Sequence, residues 1–117
     1  MFWDRFRRRP EPEIHAEWAD DLAKVEQVVG QAPRGAALDP LVVAAITGLP
    51  LGAVIALLQV LARRRRGRLE LRVVDAKGQE IGAYATLRDI PPLVQDQFGD
   101  VTRVQPENVE LVFRVPP

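Results

Sequence analysis

The chain has 117 residues, 47 % hydrophobic and 27 % charged, with a formal net charge of zero. That is the balance of one folded domain with a single core, not of a disordered segment. It contains no cysteine and no serine, one histidine and three threonines (Thr47, Thr86 and Thr102), which excludes a disulfide framework, a thiolate metal site and thiol or serine nucleophiles and fits a cytoplasmic setting. The zero net charge conceals blocks of +3 over residues 1–10, −5 over 11–30, +5 over 63–72 and −3 over 73–117, and such blocks matter more for partners than the net value does.

Residues 1–12 read as a tail set apart by Pro10 and Pro12, mixing Phe2, Trp3 and Phe6 with Arg5, Arg7, Arg8 and Arg9. Either it is a loose terminus or it is an arm for an acidic surface, a membrane face or nucleic acid. It has no apolar central region, so no cleavable signal peptide is expected. Residues 13–117 are expected to form a single domain. Ile14, Trp18, Leu22, Val25 and Val29 recur at helical spacing and predict a first helix over 13–29, with Gly30 as its C-cap. Glu13, Glu17, Asp20 and Asp21 crowd its first half, where the helix dipole favours negative charge. His15 has no partner at ligand spacing, and no metal or cofactor is expected. Asp20 and Asp21 are neighbours, so on a helix they diverge by about 100° and make no catalytic carboxylate pair. With no other cluster of chemistry-bearing groups, an enzyme is not expected.

Residues 31–38 read as a connection. Asp39-Pro40 then supplies a favoured N-cap and a favoured first helical residue, predicting a second helix over Pro40–Thr47. Beyond it, Ala44, Gly48, Leu49, Val54 and Leu57 hold the pattern of a small crossing residue, a turn glycine and apolar positions at set offsets. Leu58 and Leu61 continue the buried stripe of a third helix. Leu69, Leu71 and Val73 alternate with Glu70, Arg72 and Val74 as a half-buried strand. Asp75–Glu80 is a turn, and Ile81–Leu87 a returning strand. Over residues 14–87 this order of helix, helix, turn, helix and hairpin resembles a winged helix-turn-helix domain. Further on, Phe98-Gly99-Asp100 reads as a turn, Val101–Val104 as a short strand and Val109–Val115 as a clear one, extending the wing sheet. The expected fold is therefore α+β: a winged helix-turn-helix with three helices and an antiparallel β-wing extended by C-terminal strands. Its expected core comprises Trp18, Leu22, Val25, Val43, Ile46, Leu49, Val54, Leu57, Leu58, Leu61, Leu69, Leu71, Leu111 and Phe113.

The resemblance implies DNA binding, with the third helix in the major groove. Its exposed positions, Pro50, Leu51, Gly52, Ile55, Ala56 and Gln59, include only one side chain, Gln59, able to read a base edge. The candidate DNA contacts are therefore Gln59 and the cations Arg63, Arg64, Arg65, Arg66 and Arg68, with Lys77 at the wing tip, gripping phosphates with little sequence preference. The arginines equally suit a solvated helix end that complements the dipole. The apolar positions Leu51, Ile55 and Ala56 suggest a second use, as an interface for a protein partner or a second copy. A third reading treats residues 41–62, uncharged and with 17 of 22 positions apolar, as a membrane span followed by four arginines. Gly48, Pro50 and Gly52, five alanines and the capped entry at Asp39-Pro40 make a span unlike this segment.

Overall fold

The structure, a computed structural model, describes residues 16–117. The tail over 1–12 and the first turn of the predicted first helix, with His15, lie outside the described residues. Among the described residues three α-helices pack against the larger of two antiparallel sheets, a mixed α+β arrangement. Helix α1 covers Ala16–Gln31, the short strand β1 Ala37–Leu38, α2 Pro40–Thr47 and α3 Leu51–Arg63. Strands β2 (Arg68–Val74), β3 (Glu80–Tyr84), β4 (Leu93–Gln95), β5 (Val101–Arg103) and β6 (Val109–Arg114) follow.

The helix ends show local chemistry at work. Helix α1 runs through Gly30, which is therefore not its C-cap. Pro33 stops it instead, because proline disfavours helical geometry in the residue before it and has no N–H to donate. Asp39 caps α2 by accepting from the Leu41 N–H at 2.9 Å, and Pro40 takes the first helical position. Gly48 ends α2 in the left-handed region (φ 75°), donating to the Ala44 carbonyl at 2.9 Å. Only Gly48, Leu49 and Pro50 separate α2 from α3, and the chain bends by 110° between them. The uncharged stretch 41–62 is thus broken in two. Among the described residues no single helix is long and apolar enough to cross a membrane.

The core lies where α1, α2 and α3 meet one end of the larger sheet. Leu22, Val25, Val29, Val43, Val54, Leu57, Leu58, Leu61, Phe113 and Val115 form one buried cluster. Three expected core residues are elsewhere. Trp18 is 37 % exposed, Ile46 63 % and Leu111 37 %. Helix α2 buries a stripe made of Pro40 and Val43, with Ala44 and Thr47 half-buried beside it. Ile46 falls off that stripe. Leu49, Leu69 and Leu71 are half-buried.

The order of the larger sheet is β1-β6-β2-β3. The C-terminal strand β6 extends the hairpin's sheet as expected, by pairing with β2, but it is not an edge strand. It sits centrally, pairing Leu38 with Phe113 on one side and Leu69 with Phe113 on the other. Two neighbouring contacts explain its fit. Gly67 takes φ +151°, and a Cβ there would strike the ring of Phe113, which has no exposed surface. Strand β1, within the segment expected to be a bare connection, is held by Val115 donating to the Ala36 carbonyl at 2.9 Å. The returning strand of the hairpin ends at Tyr84, three residues short of the predicted Leu87, where a single 3₁₀ turn begins. Strand β5, expected to extend the wing as well, does not join the larger sheet; it pairs with β4, which has no periodic signal, as a separate two-stranded unit.

The alternation in β2 predicts a wet face, and the structure corrects this. Glu70, Val112 and Val74 point away from the Leu69–Phe113 face, yet all three are buried. Arg114 shows why. One nitrogen of its guanidinium donates to the Gly35 carbonyl at 3.2 Å, beside β1, and another to Glu80 at 2.5 Å, at the start of β3. These are the two edges of the sheet. Arg114 is in register with Arg68, whereas Glu80 is in register with Val74, six residues along β2. In a flat sheet that offset is about 20 Å, beyond the reach of the two side chains. The sheet therefore curls, helped by a bulge between Val73 and Val74. Glu70 is enclosed at 5 % exposure and accepts from Arg68 Nε at 2.7 Å, with Arg114 Nε 3.5 Å away. The hydrogen bond to Glu80 raises the Arg114 guanidinium pKa above its ordinary value, partly opposed by burial. Removing one partner of a buried charge costs more than the pair contributes. We expect Arg114→Met to lower unfolding free energy by roughly 3 kcal/mol, read from urea denaturation; a loss below about 1 kcal/mol would show that the edge-to-edge tie is an exposed ion pair of little consequence.

Candidate functional site

Two surfaces stand out, and they are separate. The first is cationic. Arg63 is the last residue of α3, Arg64 its cap, and Arg65 and Arg66 lead through Gly67 to Arg68 at the start of β2. All five arginines are exposed. The turn that carries them is a Schellman closure: Arg65 donates to the Ala62 carbonyl at 3.1 Å and Arg66 to that of Leu61 at 2.9 Å. The residue that must then adopt positive φ is Arg65 (φ 59°), where glycine is the usual occupant. It is the only non-glycine residue at positive φ among the described residues. Holding a long side chain there costs on the order of 1 kcal/mol. Arg64 lies 3.8 Å from Glu26 of α1, and Arg68 is engaged with Glu70. Among the described residues Arg63, Arg65 and Arg66 enter no ion pair.

Sequence reasoning missed one cation at this end. Arg34, in the loop between α1 and β1, lines a cleft of about 550 Å³ together with Arg65, Arg66 and Glu26 and the apolar Leu61 and Val115. No periodic pattern marks it; its role follows from where the loop is tied down. Lys77, by contrast, is not brought to the cluster. It sits in the β2–β3 turn, at the opposite end of β2 from Arg68.

That turn has a twin. Asp75 accepts through Oδ1 from the N–H groups of Lys77 and Gln79, both at 2.9 Å, and Gly78 closes it at φ 80°. Asp96 accepts in the same way from Phe98 and Asp100, both at 2.9 Å, with Gly99 at φ 84°. The shared Asp-x-x-Gly signature gives a tight turn with Asp first and Gly fourth. The two hairpins it closes flank a cavity of about 510 Å³ that includes Asp75, Glu80, Asp96 and Phe98. Among the described residues no three His, Asp or Glu side chains are grouped to hold a metal ion.

The second surface is apolar. Leu51 and Ile55 of α3 line a groove of about 400 Å³ with Leu41 of α2 and Leu111 of β6, and Asp39 and Glu110 also border it. Leu41 is 61 % exposed, and Val42 and Ile46 add to the bare face of α2. Of the three predicted interface residues, Leu51 and Ile55 meet in this groove and Ala56, though exposed, does not line it. Gly52, Ala56 and Gln59 form the exposed stripe of α3 that ends at Arg63, so Gln59 is its only hydrogen-bonding side chain before the arginines. Comparison with family models, curated proteins and solved structures returns no match.

The strained turn makes a direct prediction. Replacing Arg65 with glycine is expected to raise unfolding free energy by about 1 kcal/mol, measured by thermal or urea melting. A destabilised variant would mean that the arginine side chain contributes packing that outweighs its backbone cost.

Proposed function

We propose that this chain is a non-catalytic regulatory module of the winged-helix kind that associates with DNA through phosphate contacts made by its arginine end. The α2–turn–α3 unit supports the fold part of this reading. A three-residue turn with glycine at positive φ and a bend of 110° match the helix-turn-helix range. The observation that carries the functional part is the exposed run Arg63–Arg66, three of whose members have no ion-pair partner among the described residues. Unneutralised guanidinium groups clustered on one end attract a polyanion and release its counterions. Because the exposed stripe of α3 offers only Gln59 to base edges, binding in this reading has little sequence preference. It requires no cofactor.

The test is the affinity for a 30-base-pair duplex as a function of salt. Four to five phosphate contacts predict a log–log slope of about −4. With Arg63, Arg64, Arg65 and Arg66 all changed to alanine, the slope is expected to shrink to about −1 or weaker. Absence of binding by the natural chain at low salt would overturn the proposal.

A second reading is supported by a different observation, the apolar groove and the bare face of α2. In it the domain docks a protein partner or a second copy through Leu41, Leu51, Ile55 and Leu111. Leu51→Glu places a charge in that groove. If the groove is an interface between copies, the variant is expected to be monomeric by sedimentation where the natural chain is dimeric; a natural chain that is already monomeric removes the self-association form of this reading.

A further inference from the structure

We infer that the cleft between the ends of α1 and α3 is a seat for one phosphate group, held by Arg34, Arg65 and Arg66. The inference rests on the DNA reading above, in which that phosphate belongs to the nucleic-acid backbone. Three cations line one cleft of about 550 Å³, a volume within the range of ligand pockets. None of the three enters an ion pair among the described residues. Like charges brought together raise one another's energy, and an anion placed among them relieves it. The one opposing side-chain charge lining the cleft is Glu26, which has Arg64 within 3.8 Å, and Pro116 and Pro117 line it as well.

The three arginines come from two distant stretches of chain, and both are held in place. Arg34 sits in the tight turn closed by Ala36 donating to the Pro33 carbonyl at 3.1 Å. That turn is fastened to the chain end by Gly35 donating to the Pro116 carbonyl at 3.0 Å, and to β6 by the Arg114 guanidinium at the Gly35 carbonyl, 3.2 Å away. Arg65 and Arg66 are placed by the Schellman closure of α3. A cationic site whose backbone is ordered beforehand loses less entropy on binding. The positive φ of Arg65 is consistent with this role, since residues in strained conformations gather at ligand sites. Guanidinium groups also present paired donors that match phosphate oxygens.

The experiment uses fluorescence anisotropy on the full chain with a labelled 30-base-pair duplex across a salt series. Arg34→Ala is expected to weaken binding about five-fold near 100 mM salt and to reduce the salt slope by about 1. Glu26→Gln removes the opposing charge and is expected to tighten binding about two-fold. Arg34 is exposed and enters no ion pair among the described residues, so its variant is expected to melt with the natural chain, which verifies that the fold is intact. If the natural chain binds the duplex and Arg34→Ala matches it in affinity and slope, the cleft is not the seat, while the DNA reading stands on Arg63 and its neighbours. A second arm asks whether inorganic phosphate raises the melting temperature above chloride at equal ionic strength. If the natural chain ignores the duplex but is stabilised by phosphate, and Arg34→Ala is not, the seat is real and takes a free phosphate, and the DNA reading fails. Indifference to both duplex and phosphate overturns seat and reading together.

Discussion

The position of β6 between β1 and β2 is the constraint on which the rest of the structure depends. The last strand of the chain supplies Phe113 to the three-helix core on one face and Val112 to the enclosed face on the other. From its end, Arg114 reaches both edges of the sheet at once. The curl that this contact requires encloses Glu70, which would be costly without the guanidinium groups of Arg68 and Arg114. Among the described residues no buried side-chain polar atom lacks a partner. The enclosed face is thus paired as well as covered.

The same arrangement sorts the surface. Because β6 ends beside the loop that carries Arg34, the end of α1, the end of α3 and the chain's last residues meet around one cationic cleft. Because Leu111 lies three residues before the end of β6, it falls by the start of α3 and completes the apolar groove with Leu41 and Leu51. One strand therefore helps to build both candidate surfaces, and they do not overlap. In the proposed readings the arginine end would take a polyanion while the apolar groove faces another molecule. The two proposed uses are physically compatible.

Local chemistry was legible wherever it acts through neighbours in the chain. The Asp39-Pro40 entry, the Gly48 turn and the apolar periodicity of α3 all read directly, since caps, positive φ and helical spacing are set within a few residues. The arginine run was visible as composition, and so was the poverty of hydrogen-bonding groups on α3. Gly30 misled because a glycine three residues before a proline is a weaker stop than the proline itself. Ile46 and Trp18 misled because apolar spacing names a face without saying whether anything covers it. The twin Asp-x-x-Gly turns were half read: each was marked as a turn, but their identity shows only in their matching hydrogen bonds.

The sequence by itself determined an α+β chain with three helices, the bend between the second and third, the hairpin that follows and a charge-rich stretch at the end of α3, since each depends on interactions spanning a few residues. The tertiary structure alone decided that β6 is central, that β4 and β5 stand apart as their own hairpin, that Glu70 is enclosed and that Arg34 joins Arg65 and Arg66. Apart from the β4–β5 hairpin, whose strands pair over 6 to 10 residues, those outcomes depend on contacts between segments 30 to 80 residues apart. Strand periodicity marks which residues share a face, but not which strand lies beside which, nor how strongly the sheet curls.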